Sequence, residues 1–257
     1  MGIKFAQVTM PSHFARIEAS MTSNALLIMA VPAGVAVSGG ALAALWKPSR
    51  QVRSLIQHFA AGVILAALAV ELLPDIGKEH ATKEVVLGAF AAGSVFMYFL
   101  KLWTARLEGH GNGAAQGAAV GLLVATFVDV ATDGFIIGAG FAAGSETGTV
   151  LALGLSVELL FLGLAVTSER IAGWRIVGVT TALGLTVLGF AVLGSVLLSG
   201  ASAAALAGTL SFSAAALLYL VTEELLMEAH EVEEKPIATL VLFSGFLTFW
   251  GIQLMGH

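Results

Sequence analysis

The chain contains no cysteine, which excludes disulfides and thiolate metal sites and leaves the redox compartment open. Charge is scarce as well. Only 11% of residues are charged, against about 25% in soluble domains, so an ordinary globular enzyme is excluded. The 12 Lys and Arg are outnumbered by 17 Asp and Glu, giving a net charge of −5. A surface of that sign does not hold phosphates, so nucleic acid is excluded as a partner. What the chain has in quantity is apolar and small. Hydrophobic residues make up 58% of it, there are 30 glycines, and the mean hydropathy is +0.93. Small residues let membrane helices approach closely, so the glycines agree with the hydropathy.

A membrane-crossing helix needs about 20 mostly apolar residues. Eight such stretches are predicted, at roughly 24–46, 55–74, 84–103, 115–141, 148–167, 176–199, 203–227 and 237–256. The expectation is an all-α polytopic membrane protein, with residues 1–23 as an N-terminal tail and 24–257 as a single eight-helix domain. The tail carries Lys4, His13, Arg16 and Glu18 and lacks the apolar core of a signal peptide. The apolar runs are continuous and too long for β-barrel strands. Basic residues set the expected orientation. Lys47, Arg50, Arg53, Lys101, Arg106, Arg170, Arg175 and Lys235 follow the odd-numbered spans, against Lys4, Arg16, Lys78 and Lys83 on the other side. The first group is expected in the cytoplasm, with both termini outside a plasma or inner membrane.

Acids inside the apolar stretches are the informative residues. An ionised side chain at the centre of a membrane helix costs about 2.5–3.5 kcal/mol on insertion scales. Asp129 and Asp133 nevertheless lie in the fourth stretch and Glu158 in the fifth. The i, i+4 spacing puts both aspartates on one helix face, and Thr126 extends the stripe. A short connection makes spans 4 and 5 antiparallel neighbours, so Glu158 reaches the same depth. No Lys or Arg is central in any stretch. Three buried acids without a base either keep their protons or hold a cation. The structural alternative is hydrogen bonding to backbone. Gly134 and Gly138, like Gly140 and Gly144, have small-xxx-small spacing, which serves close packing; Gly134 is also placed to keep space open beside Asp133.

Weaker candidates lie near span ends. Glu71 and Asp75 close span 2, and Glu223, Glu224 and Glu228 close span 7. Their ordinary role is as solvated helix ends; as entrance or exit groups they would concentrate cations. His58 opens span 2 in the position of an interfacial histidine, and His110 stands alone in a Gly-rich loop. Val70-Glu71-Leu72-Leu73-Pro74-Asp75 is similar to Glu223-Glu224-Leu225-Leu226-Met227-Glu228. With span 2 running outward and span 7 inward, the pair reads as an inverted repeat, a plan common in secondary transporters.

Eight spans, outside termini and acid-bearing spans 4 and 5 resemble the ZIP (Zrt/Irt-like) divalent metal transporters. Span 2, from His58 to Glu71-Leu72-Leu73-Pro74-Asp75, is similar to that family's second helix, which typically ends His-Leu-Leu-Pro-Glu. Leu218-Tyr219 and Glu224-Leu225-Leu226-Met227-Glu228-Ala229 resemble its counterpart. The core departs from the pattern. Where the family's fourth helix reads His-Asn-x-Pro-Glu-Gly, this chain has Asp129-Val130-Ala131-Thr132-Asp133-Gly134. Where the fifth reads His-Glu-x-Pro-Glu-Gly, it has Glu158-Leu159-Leu160-Phe161-Leu162-Gly163, and Leu162 cannot bind metal.

The resemblance implies a ZIP-like bundle moving a divalent cation toward the cytoplasm, with Asp129, Asp133 and Glu158 as ligands of a single site. Zinc, iron and manganese are the candidate cargoes. The all-carboxylate set favours harder ions such as manganese, since imidazole is what suits zinc, copper and iron. The bilayer and a second copy of the chain, as a homodimer, are the expected partners, and the chain is not expected to be an enzyme. Two alternatives stand beside this reading. One is a non-transporting relative that senses metal or binds partners. The other is an intramembrane hydrolase using paired acids, which the placement of both aspartates on one helix disfavours.

Overall fold

The structure is a computed structural model and describes residues 12–46, 49–79, 81–109, 114–165, 174–230 and 236–256. Lys4, Lys47, His80, His110, Arg170, Lys235 and the glutamates at 231, 233 and 234 lie outside the described residues. Among the described residues, eight helices are long and apolar enough to cross a membrane: Asn24–Leu45, Arg50–Lys78, Lys83–Trp103, Thr126–Ala143, Ser145–Leu164, Trp174–Leu198, Ala203–Leu225 and Ile237–Met255. They are called spans 1 to 8. The protein is thus an all-helical, multi-pass integral membrane protein. Span 1 belongs to a helix that starts at Ser12, so residues 12–23 of the expected tail are helical.

The spans sort into two layers by how much they bury. Spans 2, 5 and 7 place most of their side chains inside the protein, while spans 3 and 8 turn nearly all of theirs outward. Exposed Phe96, Phe99, Leu240, Phe243 and Leu247 on spans 3 and 8 suit a hydrocarbon solvent. Around the inner helices, span 4 packs against spans 5 and 6, span 1 against spans 5 and 6, span 8 against span 2, and span 3 against span 7. One core of buried Ile64, Leu72, Ile137, Leu151, Leu155, Leu159, Leu183 and Leu210 joins these layers.

Glycines make the tightest of these contacts. A Cβ on Gly62 would stand 2.0 Å from the Leu242 carbonyl oxygen, and one on Gly245 would stand 2.2 Å from that of Phe59. Spans 2 and 8 therefore touch backbone to backbone, which supplies dispersion contact without a hydrophobic driving force. Gly62→Ala is expected to destabilise the protein by about 1–3 kcal/mol, the usual cost of overpacking. Gly88→Ala, with nothing within 4 Å of the new Cβ, is expected to leave the unfolding temperature in detergent unchanged or slightly higher. Equal melting of the two variants would show that the close approach contributes nothing.

Spans 2 and 7 share an unusual plan. Each starts at a serine N-cap, Ser49 or Ser202, whose hydroxyl accepts a 3.3 Å hydrogen bond from the backbone N–H three residues on. Each runs 18 residues as α-helix, Arg50–Ala67 or Ala203–Leu220. Each then passes through five residues of π-helix, Leu68–Leu72 or Val221–Leu225, before returning to α. The extra residue of a π-turn rotates the remainder of the helix by about 100° about its axis. Glu71 occupies the fourth position of the first π-segment and Glu224 the fourth of the second.

Candidate metal centre

Span 4 belongs to the helix Ala114–Ala143 and span 5 to Ser145–Ala165, with Gly144 alone between them. The hairpin folds the second helix back along the first. Asp129 and Asp133 stack one turn apart on span 4, and Glu158 comes from span 5 to meet them. One carboxylate oxygen from each lies within 4.8 Å of the others, close enough to surround a single cation. Sequence spacing brings the two aspartates together; the one-residue connection brings the third.

The surroundings of this triad are apolar. Asp133 is 1% exposed and Glu158 5%, beside fully buried Val130, Leu155 and Leu159. Both carboxylate oxygens of Asp133 and Oε2 of Glu158 are buried and, among the described residues, accept no hydrogen bond. Two neighbouring hydroxyls are committed elsewhere: Thr132 donates to the Val128 carbonyl at 3.0 Å and Ser156 to that of Ala152 at 2.6 Å. Such bonds to the preceding turn are the local alternative for a helical Ser or Thr. Among the described residues, the charged groups acting on the triad are its own members and Glu224, all acids. Among the described residues no Lys or Arg forms an ion pair with it. Like charges so close are stable only with protons or a cation between them.

The weaker candidates separate by place. Glu71 is buried and accepts a hydrogen bond from Gln253 of span 8. Asp75 accepts from Thr147 at the start of span 5 and pairs with Lys78 at 2.6 Å. Glu223 is exposed and pairs with Lys101 of span 3 at 2.6 Å, while the Lys101 ammonium also sits 5.9 Å from the centre of the Tyr219 ring. Glu224, exposed on the same π-segment, is the one within electrostatic reach of all three triad carboxylates. Gly134 does not hold space open beside Asp133. A Cβ there would stand 2.4 Å from the Val187 carbonyl oxygen, so this glycine, like Gly138 against Ala191, seats span 6.

His58 is buried, 4% exposed, and packs against His230, ring centres 5.4 Å apart. Residues so far apart in the chain carry no spacing signal that would have paired them. Compared with known proteins, the chain matches no family model and no curated protein.

Proposed function

We propose that the chain carries a divalent metal cation across a membrane in the manner of the ZIP transporters it resembles, with Asp129, Asp133 and Glu158 as the cargo's ligands. The observation that supports this most is Asp133. A buried carboxylate with neither oxygen hydrogen-bonded among the described residues, and acids as the charged groups that act on it, is unexplained as a structural element. It is explained as half of a cation cradle, and intramembrane acids mark ion pathways by default. Three carboxylates without imidazole suit manganese, magnesium or calcium better than zinc.

An inverted repeat gives such a site its transport cycle. Ser49 and Ser202, Leu68 and Val221, and Glu71 and Glu224 are each separated by 153 positions (202 − 49, 221 − 68, 224 − 71). That shift carries spans 1–3 onto spans 6–8, and exchanging spans 4 and 5 completes the mapping. Two pairs of packed spans support it, span 4 on span 6 with span 5 on span 1, and span 2 on span 8 with span 7 on span 3, while the packing of span 3 on span 4 has no such counterpart. An odd number of crossings separates the paired spans, so partners run in opposite directions. Spans 4 and 5, which hold the triad, lie on the axis of the exchange, where repeat-built transporters place their substrate.

Leu162 favours a second reading. It takes the place where the resemblance would put a second acid and packs, half-buried, against the hydrophobic core. A relative that binds metal without moving it would tolerate this change. Purified protein in liposomes distinguishes the two: the transporter takes up manganese and Asp133→Asn does not, whereas the non-transporting relative binds manganese with no flux. Because carboxylates bind metal deprotonated, manganese affinity is expected to rise with pH and binding to release protons into unbuffered solution. Affinity independent of pH between 5 and 8, roughly the window in which stability is usually greatest, would remove the carboxylates from the site.

A further inference from the structure

We infer that Gln57 of span 2 is a further ligand on the cation's route, an amide carbonyl that takes the ion between the triad and Glu224. The inference rests on the triad as the cargo's site. Gln57 is 2% exposed, and its amide nitrogen is buried with no hydrogen-bond partner among the described residues. Its polar neighbours on the helix do have partners. The Ser54 hydroxyl donates to the Ala229 carbonyl and Nδ1 of His58 to that of Ser54, both at 2.8 Å. A buried amide left without one is costly and uncommon, so it calls for a reason.

The place of Gln57 in the bundle supplies that reason. A Cβ on Gly154 of span 5 would stand 3.4 Å from that of Ala67, which marks the face of span 2 turned to span 5. The Ser54 bond marks the face turned to Ala229, in the last turn of the helix that continues span 7. At about 100° per residue, Gln57 lies about 80° from Ala67 and about 60° from Ser54, between the two faces. Gly62, which seats span 8, is about 140° away on the other side. The same contacts give the depth. Span 2 runs antiparallel to spans 5 and 7, as the Asp75 bond to Thr147 and the packing of Leu68–Leu72 on Ala203–Leu220 require. Glu158 is then level with about position 63 (67 + 154 − 158) and Glu224 with about position 59 (54 + 229 − 224). Along the axis Gln57 is about 9 Å from the level of Glu158 and about 3 Å from that of Glu224, at about 1.5 Å per residue. It faces the wedge between spans 5 and 7, on the side of the triad where Glu224 acts on it.

The side chain suits the task. A half-turn of the carboxamide exchanges its nitrogen and oxygen without moving the rest of the residue. Oε1 then takes the unpartnered direction and meets a passing cation. Amide carbonyl oxygens are ligands of the same hard ions that the carboxylate triad suits. Being neutral, Gln57 holds a cation less strongly than the triad does. A station on a route needs that balance, since binding must replace part of the lost hydration and still let the ion leave.

Gln57→Leu and Gln57→Met test this with manganese and detergent-solubilised full-length protein. Release is timed by mixing loaded protein with an excess of a fluorescent chelator, and Kd is read by titration calorimetry. A ligand used only in passage lowers the barrier in both directions. Both variants are therefore expected to release manganese at least ~10-fold more slowly, with Kd within about twofold of the wild type. The thioether of methionine is too soft a donor to replace the carbonyl, so two apolar side chains of different shape should behave alike. The metal-free unfolding temperature of each is expected at or above that of the wild type, because an unpartnered buried amide is lost. Release at the wild-type rate in either variant, slower release with an equally tighter Kd, or melting below the wild type overturns the assignment and leaves the triad in place. Wild-type protein that binds no manganese overturns the triad, and this inference with it.

Discussion

Asp133→Val is expected to raise the unfolding temperature of the metal-free protein while weakening manganese binding by at least ~100-fold, more than the loss of an outer-shell partner costs. The two effects have one cause. Asp133 is buried with both oxygens lacking a partner, and an unsatisfied buried polar group costs about 1–3 kcal/mol. Valine at a helical, apolar-walled position removes that cost with a side chain of similar size. A carboxylate kept for stability would behave in the opposite way, since its loss would leave neighbours unpaired. Adding metal reverses the order of the two proteins. A ligand at a hundred times its Kd stabilises the state that binds it by about 2.7 kcal/mol, and only the wild type gains this. Melting curves with and without manganese should therefore cross over. If the variant melts below wild type in the absence of metal, Asp133 is part of the scaffold and the cradle is wrong.

The parts of the molecule that were legible in the sequence are those governed by local repetition. Eight apolar runs mark eight spans because lipid leaves a helix no other way to satisfy its backbone. Asp129 and Asp133 share a face because one α-turn separates them, and Glu158 joins them because a single residue, Gly144, connects the helices. The illegible parts depend on contacts between distant segments or on departures from α geometry. The π-segments at Leu68–Leu72 and Val221–Leu225 replace part of an apolar helix with another helix of the same composition, leaving hydropathy unchanged. Gly134 reads in the sequence as close packing and, more weakly, as space beside Asp133; the Val187 carbonyl against it decides for packing. His58 and His230, Glu71 and Gln253, and Lys101 and Glu223 are joined only by how the spans assemble.

Glu223 and Glu224 carry that difference into a measurable effect. They are adjacent, both exposed, and chemically identical, and only the alignment with Glu71 singles out Glu224 in the sequence. Successive residues on a helix point about 100° apart, and here one direction leads to Lys101 and the other to the triad. A negative charge within electrostatic reach of the site attracts a divalent ion twice as strongly as a monovalent one. Solvent around an exposed carboxylate reduces this. Glu224→Gln is accordingly expected to weaken manganese binding by about tenfold, about 1.4 kcal/mol, and Glu224→Lys by more than ~100-fold because attraction becomes repulsion. Glu223→Gln breaks a surface ion pair of small value and should leave manganese affinity within about twofold. Titration calorimetry on the three variants reads these changes directly. Equal losses from Glu223→Gln and Glu224→Gln would mean that net surface charge attracts the cation; a loss confined to Glu224 would mean that the π-segment aims one carboxylate at the path the ion takes.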